Sequence, residues 1–291
     1  MAKQIPEAKK NLGESISQKL KNLARERKRP VDEIFRYYAM ERFLYRLSIS
    51  PYAHRFFLKG GLMLKVWDEF DHRATMDIDL LARMSNQPES LKNAIAEVAL
   101  IPYLADAILF DTRNLILRET QTGGDYQGVS ASFVALLHTS RIPLLVDIGF
   151  NDLVIPQPQK IQYPTLLDMA VPELLGYNAE TVIAEKFEAI VKLALINTRV
   201  KDFYDLWSLC RHGGLDPINL QKAMHEVFKN RGTPYNFPPV AFTSLFYEDP
   251  LVQKRWRSFL EGMGKKDLEL KKVIIEVSTY LEKMITIDDG L

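Results

Sequence analysis

Five residues, Met76-Asp77-Ile78-Asp79-Leu80, alternate apolar and acidic. In a strand, residues i and i+2 share a face. The alternation therefore sends Met76, Ile78 and Leu80 toward a core and points Asp77 and Asp79 together the other way. Two adjacent like charges raise each other's proton affinity unless a cation sits between them. The residues upstream suit the opposite end of one substrate. Lys59-Gly60-Gly61 opens about two helical turns, Leu62 to Phe70, and Arg73-x-Thr75 leads into the acids. Glycines at the start of a helix let backbone N–H groups approach an anion, and the helix dipole favours negative charge there. Oxygen ligands beside such a turn suit Mg²⁺. The stretch reads as a site for a nucleoside triphosphate held by metal.

With 291 residues, 47% of them hydrophobic, the chain is long enough for a large core and for more than one domain. The net charge of +1 advertises no nucleic-acid partner, but it is unevenly spread. Residues 1–60 hold 14 Lys/Arg against 6 Asp/Glu, and the remainder 24 against 31. This permits a basic N-terminal face for RNA or DNA, or a solvated helical arm. One cysteine, Cys210, excludes an intramolecular disulfide and agrees with a reducing cytoplasmic setting. No apolar run approaches the roughly 18–20 residues of a membrane span. The start of the chain lacks the apolar core of a secretion signal. The five histidines show no metal-ligand spacing.

Residues 1–12 are polar and expected to fray. Apolar residues then recur at helical spacing from Ser15 to about Arg29, and again from Val31 to Arg46 with Arg36, Glu41, Arg42 and Arg46 on a polar side. These two helices read as an arm over residues 1–48. A helix is expected from Glu89 to Leu100. Short β-prone runs follow at Ile108–Asp111, Leu115–Arg118, Val129–Leu137 and Ile142–Ile148, with a turn at Gly123-Gly124-Asp125. The last run is almost wholly apolar, as a buried strand should be, and ends in Asp147. An unpaired buried carboxylate is costly, so Asp147 is either a third member of the Asp77/Asp79 cluster or an acid capping the next turn.

Prolines 156, 158, 164 and 172 punctuate a connector, giving a first domain over 49–175 and a second over 176–291. Beyond it only helical patterns remain: Thr181–Ile196, Lys201–Arg211, Leu220–Lys229, Leu251–Glu261 and Leu268–Ile285. Lys186 is a lone lysine between Glu185 and Phe187, and Asp202 and Asp205 lie three apart on one helix face. Each has a plain reading, as a surface lysine and as acids stabilising a helix dipole.

In this order the motifs resemble the nucleotidyltransferase toxins of the AbiEii/AbiGii family, the toxic halves of type IV toxin–antitoxin and abortive-infection systems. The resemblance runs from about Asn22 to Leu209. It includes Lys59-Gly60-Gly61, Arg73-x-Thr75-x-Asp77-x-Asp79, Asp147-Ile148-Gly149-Phe150, Tyr163-Pro164-Thr165, Glu185-Lys186-Phe187 and Lys201-Asp202-Phe203-Tyr204-Asp205. It implies an α+β fold: a polymerase-β-like nucleotidyltransferase domain, with a small mixed sheet and flanking helices, followed by an all-helical domain. Asp77 and Asp79 match the family's metal-binding acids, Gly60-Gly61 its phosphate turn, and Lys186 and Asp202 its helical-domain active-site positions. Asp147 stands where the wider superfamily often places a third carboxylate. Lys59, Arg73, Thr75 and Asp205 complete the expected nucleotide-binding set. Leu62 departs from the pattern, because many nucleotidyltransferases carry Ser or Thr there. The implied activity is Mg²⁺-dependent transfer from an NTP to an RNA acceptor, the tRNA 3′ end being preferred, with an antitoxin protein as partner. The alternatives are nucleotidylation of a protein side chain and a non-catalytic nucleotide-binding module.

Overall fold

The computed structural model describes the backbone of residues 7–67, 73–121, 127–234 and 237–285, with the side chains of 7–10, 121 and 127 left aside. The expected turn at 123–125 and the end of the helix toward Phe70 lie outside these residues. The chain divides into two compact units: one of residues 1–151 and 159–176, the other of 152–158 and 177–291.

The first unit is built on a seven-stranded mixed sheet of order β3-β4-β5-β2-β1-β7-β6. The strands are β1 (Phe56–Lys59), β2 (Ile78–Ala82), β3 (Ile108–Gln121), β4 (Gln127–Leu137), β5 (Ser140–Phe150), β6 (Gln159–Gln162) and β7 (Glu173–Gly176). The β3–β4–β5 meander is antiparallel, whereas β2–β5 and β1–β7 are parallel. Alternation works as the sequence suggests along β5: Ile142, Leu144, Val146 and Ile148 are buried, and Arg141, Pro143 and Leu145 are exposed. The two β-prone runs expected at 108–118 are one strand, with a register shift between Asp111 and Ile116. A bulge of this kind kinks a strand without ending it.

Helices α1 (Glu7–Glu26), α2 (Val31–Ser48), α3 (Gly61–Trp67) and α4 (Pro88–Leu100) belong to this unit. Helix α1 begins at Glu7, within the segment expected to fray. Helix α2 is a core element: Tyr38, Met40, Phe43 and Leu44 are fully buried in the same apolar cluster as the sheet's inner face. Of its expected polar side, Glu41, Arg42 and Arg46 are buried too, and Arg36 is half-buried. Arg46 makes a two-pronged pair with Asp106, at 2.6 and 3.2 Å, and donates to the carbonyls of Ile101 and Arg42 at 3.0 Å each. Arg42 lies 2.8 Å from Glu41 and donates to the Ala170 carbonyl at 3.0 Å. Charges pass as surface in a sequence pattern, yet a guanidinium with the acceptors that Arg46 has is stable inside. Arg42 is less completely served, its Nε and Nη1 finding no hydrogen-bond partner among the described residues.

Strands β6 and β7 run through the expected proline connector. Pro158 and Pro172 directly precede them, positions where a missing N–H costs no ladder bond, and Tyr163 N–H donates to the Pro172 carbonyl at 2.9 Å.

The second unit is helical: α5 (Ala179–Leu193), α6 (Val200–His212), α7 (Pro217–Asn230), α8 (Ser244–Tyr247), α9 (Pro250–Gly262) and α10 (Leu270–Ile285). Asn178, Asp216 and Asp249 cap α5, α7 and α9 with their side-chain oxygens, satisfying amides that would otherwise be orphaned. Phe187 stacks with Phe242 at 5.8 Å between ring centroids, and Phe203 with Phe246 at 5.0 Å. Arg231 gathers three carboxylates, those of Asp152, Glu185 and Glu188, at 2.8–3.0 Å.

Candidate functional site

Strand register assembles the site. In the parallel β2–β5 pair Asp79 stands opposite Asp147, and in the antiparallel β1–β2 pair Lys59 stands opposite Asp79. Ser130 of β4 stands opposite Asp147, and Arg118 of β3 opposite Ser130. Directly opposed residues share a face. One row across five strands therefore reads Arg118, Ser130, Asp147, Asp79, Lys59. Asp77, just before β2, turns its carboxylate into the same place. One carboxylate oxygen from each of Asp77, Asp79 and Asp147 lies within 4.8 Å of the others, and all three residues are half-buried.

Burial pushes the Asp79 carboxyl up to about 6; the charges of Asp77 and Asp147 push the same way, and Lys59 and the Gly61 N–H pull back. The Asp147 carboxyl is also raised, by burial and by Asp77, against a hydrogen bond from Ser130. Three converging carboxylates that raise each other's proton affinity are stabilised by a cation. Hard oxygen donors at this spacing suit Mg²⁺, so the residues fit the metal that the sequence suggests.

The surrounding side chains hold these acids in place. Thr75 donates through Oγ1 to Asp77 Oδ1 at 2.7 Å, and its N–H donates to the Tyr37 hydroxyl at 3.0 Å. Ser130 donates to Asp147 Oδ1. Gly60 has φ +67°, and a Cβ there would stand 2.0 Å from Asp79 Oδ2. A Cβ on Gly61 would meet Thr75 Oγ1 at 2.8 Å and Arg73 Nη1 at 3.4 Å. Both glycines are thus required by close approach to the acid loop. In this structure the Gly61 amide is engaged by Asp79. Leu62, which follows the two glycines, is fully buried in the core.

The structure brings together Lys59, Gly60, Gly61, Arg73, Thr75, Asp77, Asp79 and Asp147. The other sequence-selected residues form their own cluster in the helical unit. Lys186 Nζ of α5 lies 2.8 Å from Asp202 and 2.7 Å from Asp205, both buried on α6. Arg199 approaches Asp202 at 3.8 Å. Lys186 is therefore a paired cation and not a surface lysine.

Three residues escaped the sequence reading. Ser130 carries only the weak signal of a polar residue on an alternating strand. Tyr37 looks like any aromatic core position. Lys65 is buried, with its Nζ 3.3 Å from the Pro164 carbonyl and over the Tyr163 and Tyr37 rings at 4.9 and 5.4 Å. No helix of the described residues is long and apolar enough to cross a membrane.

The profile of the family described as nucleotidyl transferase AbiEii toxin, type IV TA system, matches residues 42–283, and the chain belongs to that family. Among solved structures it is similar to JHP933 from Helicobacter pylori, at 13% identity and TM-score 0.49, over 87% of this chain and 91% of that one. It is also similar to a candidate nucleotidyltransferase from H. pylori, at 13% identity and TM-score 0.42, over 84% of this chain and 91% of that one. No curated protein matches.

Proposed function

We propose that this member of the AbiEii family transfers a nucleoside monophosphate from an NTP to the 3′ hydroxyl of an RNA, the tRNA 3′ end above all. The observation that carries the reading is the meeting of Asp77, Asp79 and Asp147 within 4.8 Å. No core requires three half-buried acids on one sheet face, and the family supplies the chemistry that does. The preference for tRNA rests on the family resemblance.

Asp77, Asp79 and Asp147 would hold divalent metal, which when bound neutralises charge on the reacting phosphate and on the entering and leaving oxygens, in a two-ion arrangement. In the transfer, the acceptor oxygen forms a bond to the α-phosphorus, the bond to the pyrophosphate oxygen breaks, and the hydroxyl proton leaves. Asp147 is the group proposed to take that proton. Its carboxyl is raised above the usual carboxylate range by burial and by Asp77, and one of its oxygens is fixed by Ser130. Lys59, Gly60 and Gly61, with Arg73 and Thr75, are proposed to orient the triphosphate. Lys186, Asp202 and Asp205 enter the proposal through the family's positions alone. An antitoxin encoded beside the gene is the partner that the family's type IV designation supports.

The test is incubation of the protein with bacterial RNA, Mg²⁺ and each α-labelled NTP, beside Asp79→Ala. Label in a tRNA-sized band, absent with the variant, is expected. Label on protein moves the acceptor to a side chain. NTP binding without any transfer defeats the enzymatic reading.

A further inference from the structure

The row that contains the acids does not stop at Asp147. Two strands further, Arg118 stands on the same face, beyond Ser130. At about 4.8 Å per strand its backbone is roughly 10 Å from that of Asp147. Arg118 is exposed and makes no ion pair or hydrogen bond with the described residues. Among the other arginines of this unit, Arg42 and Arg46 are buried against acids and Arg113 is paired with Asp111 at 2.7 Å, while Arg141, exposed on the same face of β5, stands opposite Leu136, six residues along the strand from Asp147.

The next row on the same face is apolar and open. Ile116 is 48% exposed and Leu145 37%, with Ser132 opposite both on the strand between them. The face thus offers an unpaired cation beside an apolar floor, continuous with the acid cluster.

Direction decides what meets it. In an in-line displacement the entering and leaving oxygens lie on opposite sides of the phosphorus. The Lys59-Gly60-Gly61 turn lies on the β1 side of Asp79. With the triphosphate there, as proposed above, the acceptor arrives from the β4–β3 side, where Arg118 stands. A guanidinium at that distance from the reacting hydroxyl suits a phosphodiester one step back along a strand, and an apolar floor suits the flat face of a base. A protein hydroxyl carries no fixed anion at that place.

We propose that Arg118, with Ile116 and Leu145 beside it, is the acceptor-strand subsite, and that it selects a nucleic-acid 3′ end by its terminal phosphodiester. The inference rests on the proposed transfer reaction.

The experiment measures label transfer to tRNA at varied RNA and varied NTP for wild type, Arg118→Ala and Arg118→Lys, together with tRNA binding by anisotropy across a salt series. Arg118→Ala is expected to raise the KM for RNA about tenfold, the loss of one charge-assisted contact. Its kcat, its KM for NTP and its melting temperature should stay at the wild-type values, and Arg118→Lys should recover part of the loss. The salt slope of tRNA binding should fall by about one with Arg118→Ala. An unchanged RNA KM and salt slope overturn the subsite even where wild type transfers label to tRNA. Equal loss toward NTP and RNA overturns it as well. If wild type labels no RNA, the transfer reading fails, and the anisotropy series still decides whether Arg118 holds RNA. Label on a protein acceptor overturns both.

Discussion

Asp79→Asn should make the metal-free protein more stable while removing its response to Mg²⁺. The Asp79 carboxyl is pushed up to about 6 by burial and by Asp77 and Asp147. An ordinary Asp, as in the unfolded chain, titrates near 3.9. The sign follows directly. A carboxyl that binds its proton more tightly in the folded state costs stability once pH exceeds its folded value, and that cost fades as pH falls toward the unfolded value. At pH 8 the full difference corresponds to roughly 3 kcal/mol. Water reaches a half-buried carboxylate and screens part of this, and an amide accepts the Gly61 N–H less strongly than a carboxylate. About 1–2 kcal/mol should remain, or roughly 2–8 °C in melting temperature for a unit of this size.

The assay is thermal unfolding in EDTA and in Mg²⁺, at pH 8 and pH 4.5. In EDTA at pH 8 the variant should melt above wild type, and at pH 4.5 the gap should shrink. Mg²⁺ at ten times its Kd should stabilise wild type by about 1.4 kcal/mol and leave the variant unmoved. A variant that melts below wild type in EDTA at pH 8, or a gap that persists at pH 4.5, refutes the argument that these carboxylates repel one another.

Gly60→Ala should weaken Mg²⁺ binding more than tenfold by calorimetric titration. Its φ of +67° is unfavourable for alanine, at about 1–2 kcal/mol, and its Cβ would displace Asp79 from 2.0 Å. Tyr37→Phe keeps the ring but leaves the buried Thr75 N–H, now 3.0 Å from the hydroxyl, without its acceptor. The expected cost is about 1–3 kcal/mol in urea unfolding, together with weaker Mg²⁺ binding through Thr75 and Asp77. Arg46→Ala isolates the buried Asp106 and should cost roughly 3–5 kcal/mol in the same assay, with no counterpart at the acid site.

The acid cluster was legible because its parts are local: Ile78 and Leu80 enter the core as the alternation of residues 76–80 suggests, beside the adjacent glycine turn, although Met76, expected in the core, precedes β2 and is 42% exposed. Asp147 was half legible. A carboxylate closing an apolar run signals something unusual, but only the β2–β5 register pairs it with Asp79. Helix α2 shows the limit. Glu41, Arg42 and Arg46 give it an amphipathic pattern, and nothing local reveals that Asp106 and the Ala170 carbonyl wait as partners 60 and 128 residues away. The basic excess of residues 1–60 is therefore partly internal charge and overstates the surface available to RNA. Strands β6 and β7 hid behind prolines that sit just before them, where proline and strand are compatible.

Register links the fold to the chemistry. A slip of one residue in β2 would turn Asp79 into the core and Ile78 and Leu80 out. That slip would bury a carboxylate and expose two large apolar side chains, so the packing of Ile78 and Leu80, both fully buried, fixes where Asp79 points. The same holds at β5, where Val146 and Ile148 flank Asp147 in the core, and at β4, where Val129 and Ala131 flank Ser130. The apolar alternation that drives the sheet together thus sets the row from Lys59 to Arg118 independently of the interactions those polar groups then make, such as the hydrogen bond from Ser130 to Asp147. It also offsets their mutual repulsion, because displacing one carboxylate by a residue's step would cost far more hydrophobic burial than three like charges cost together.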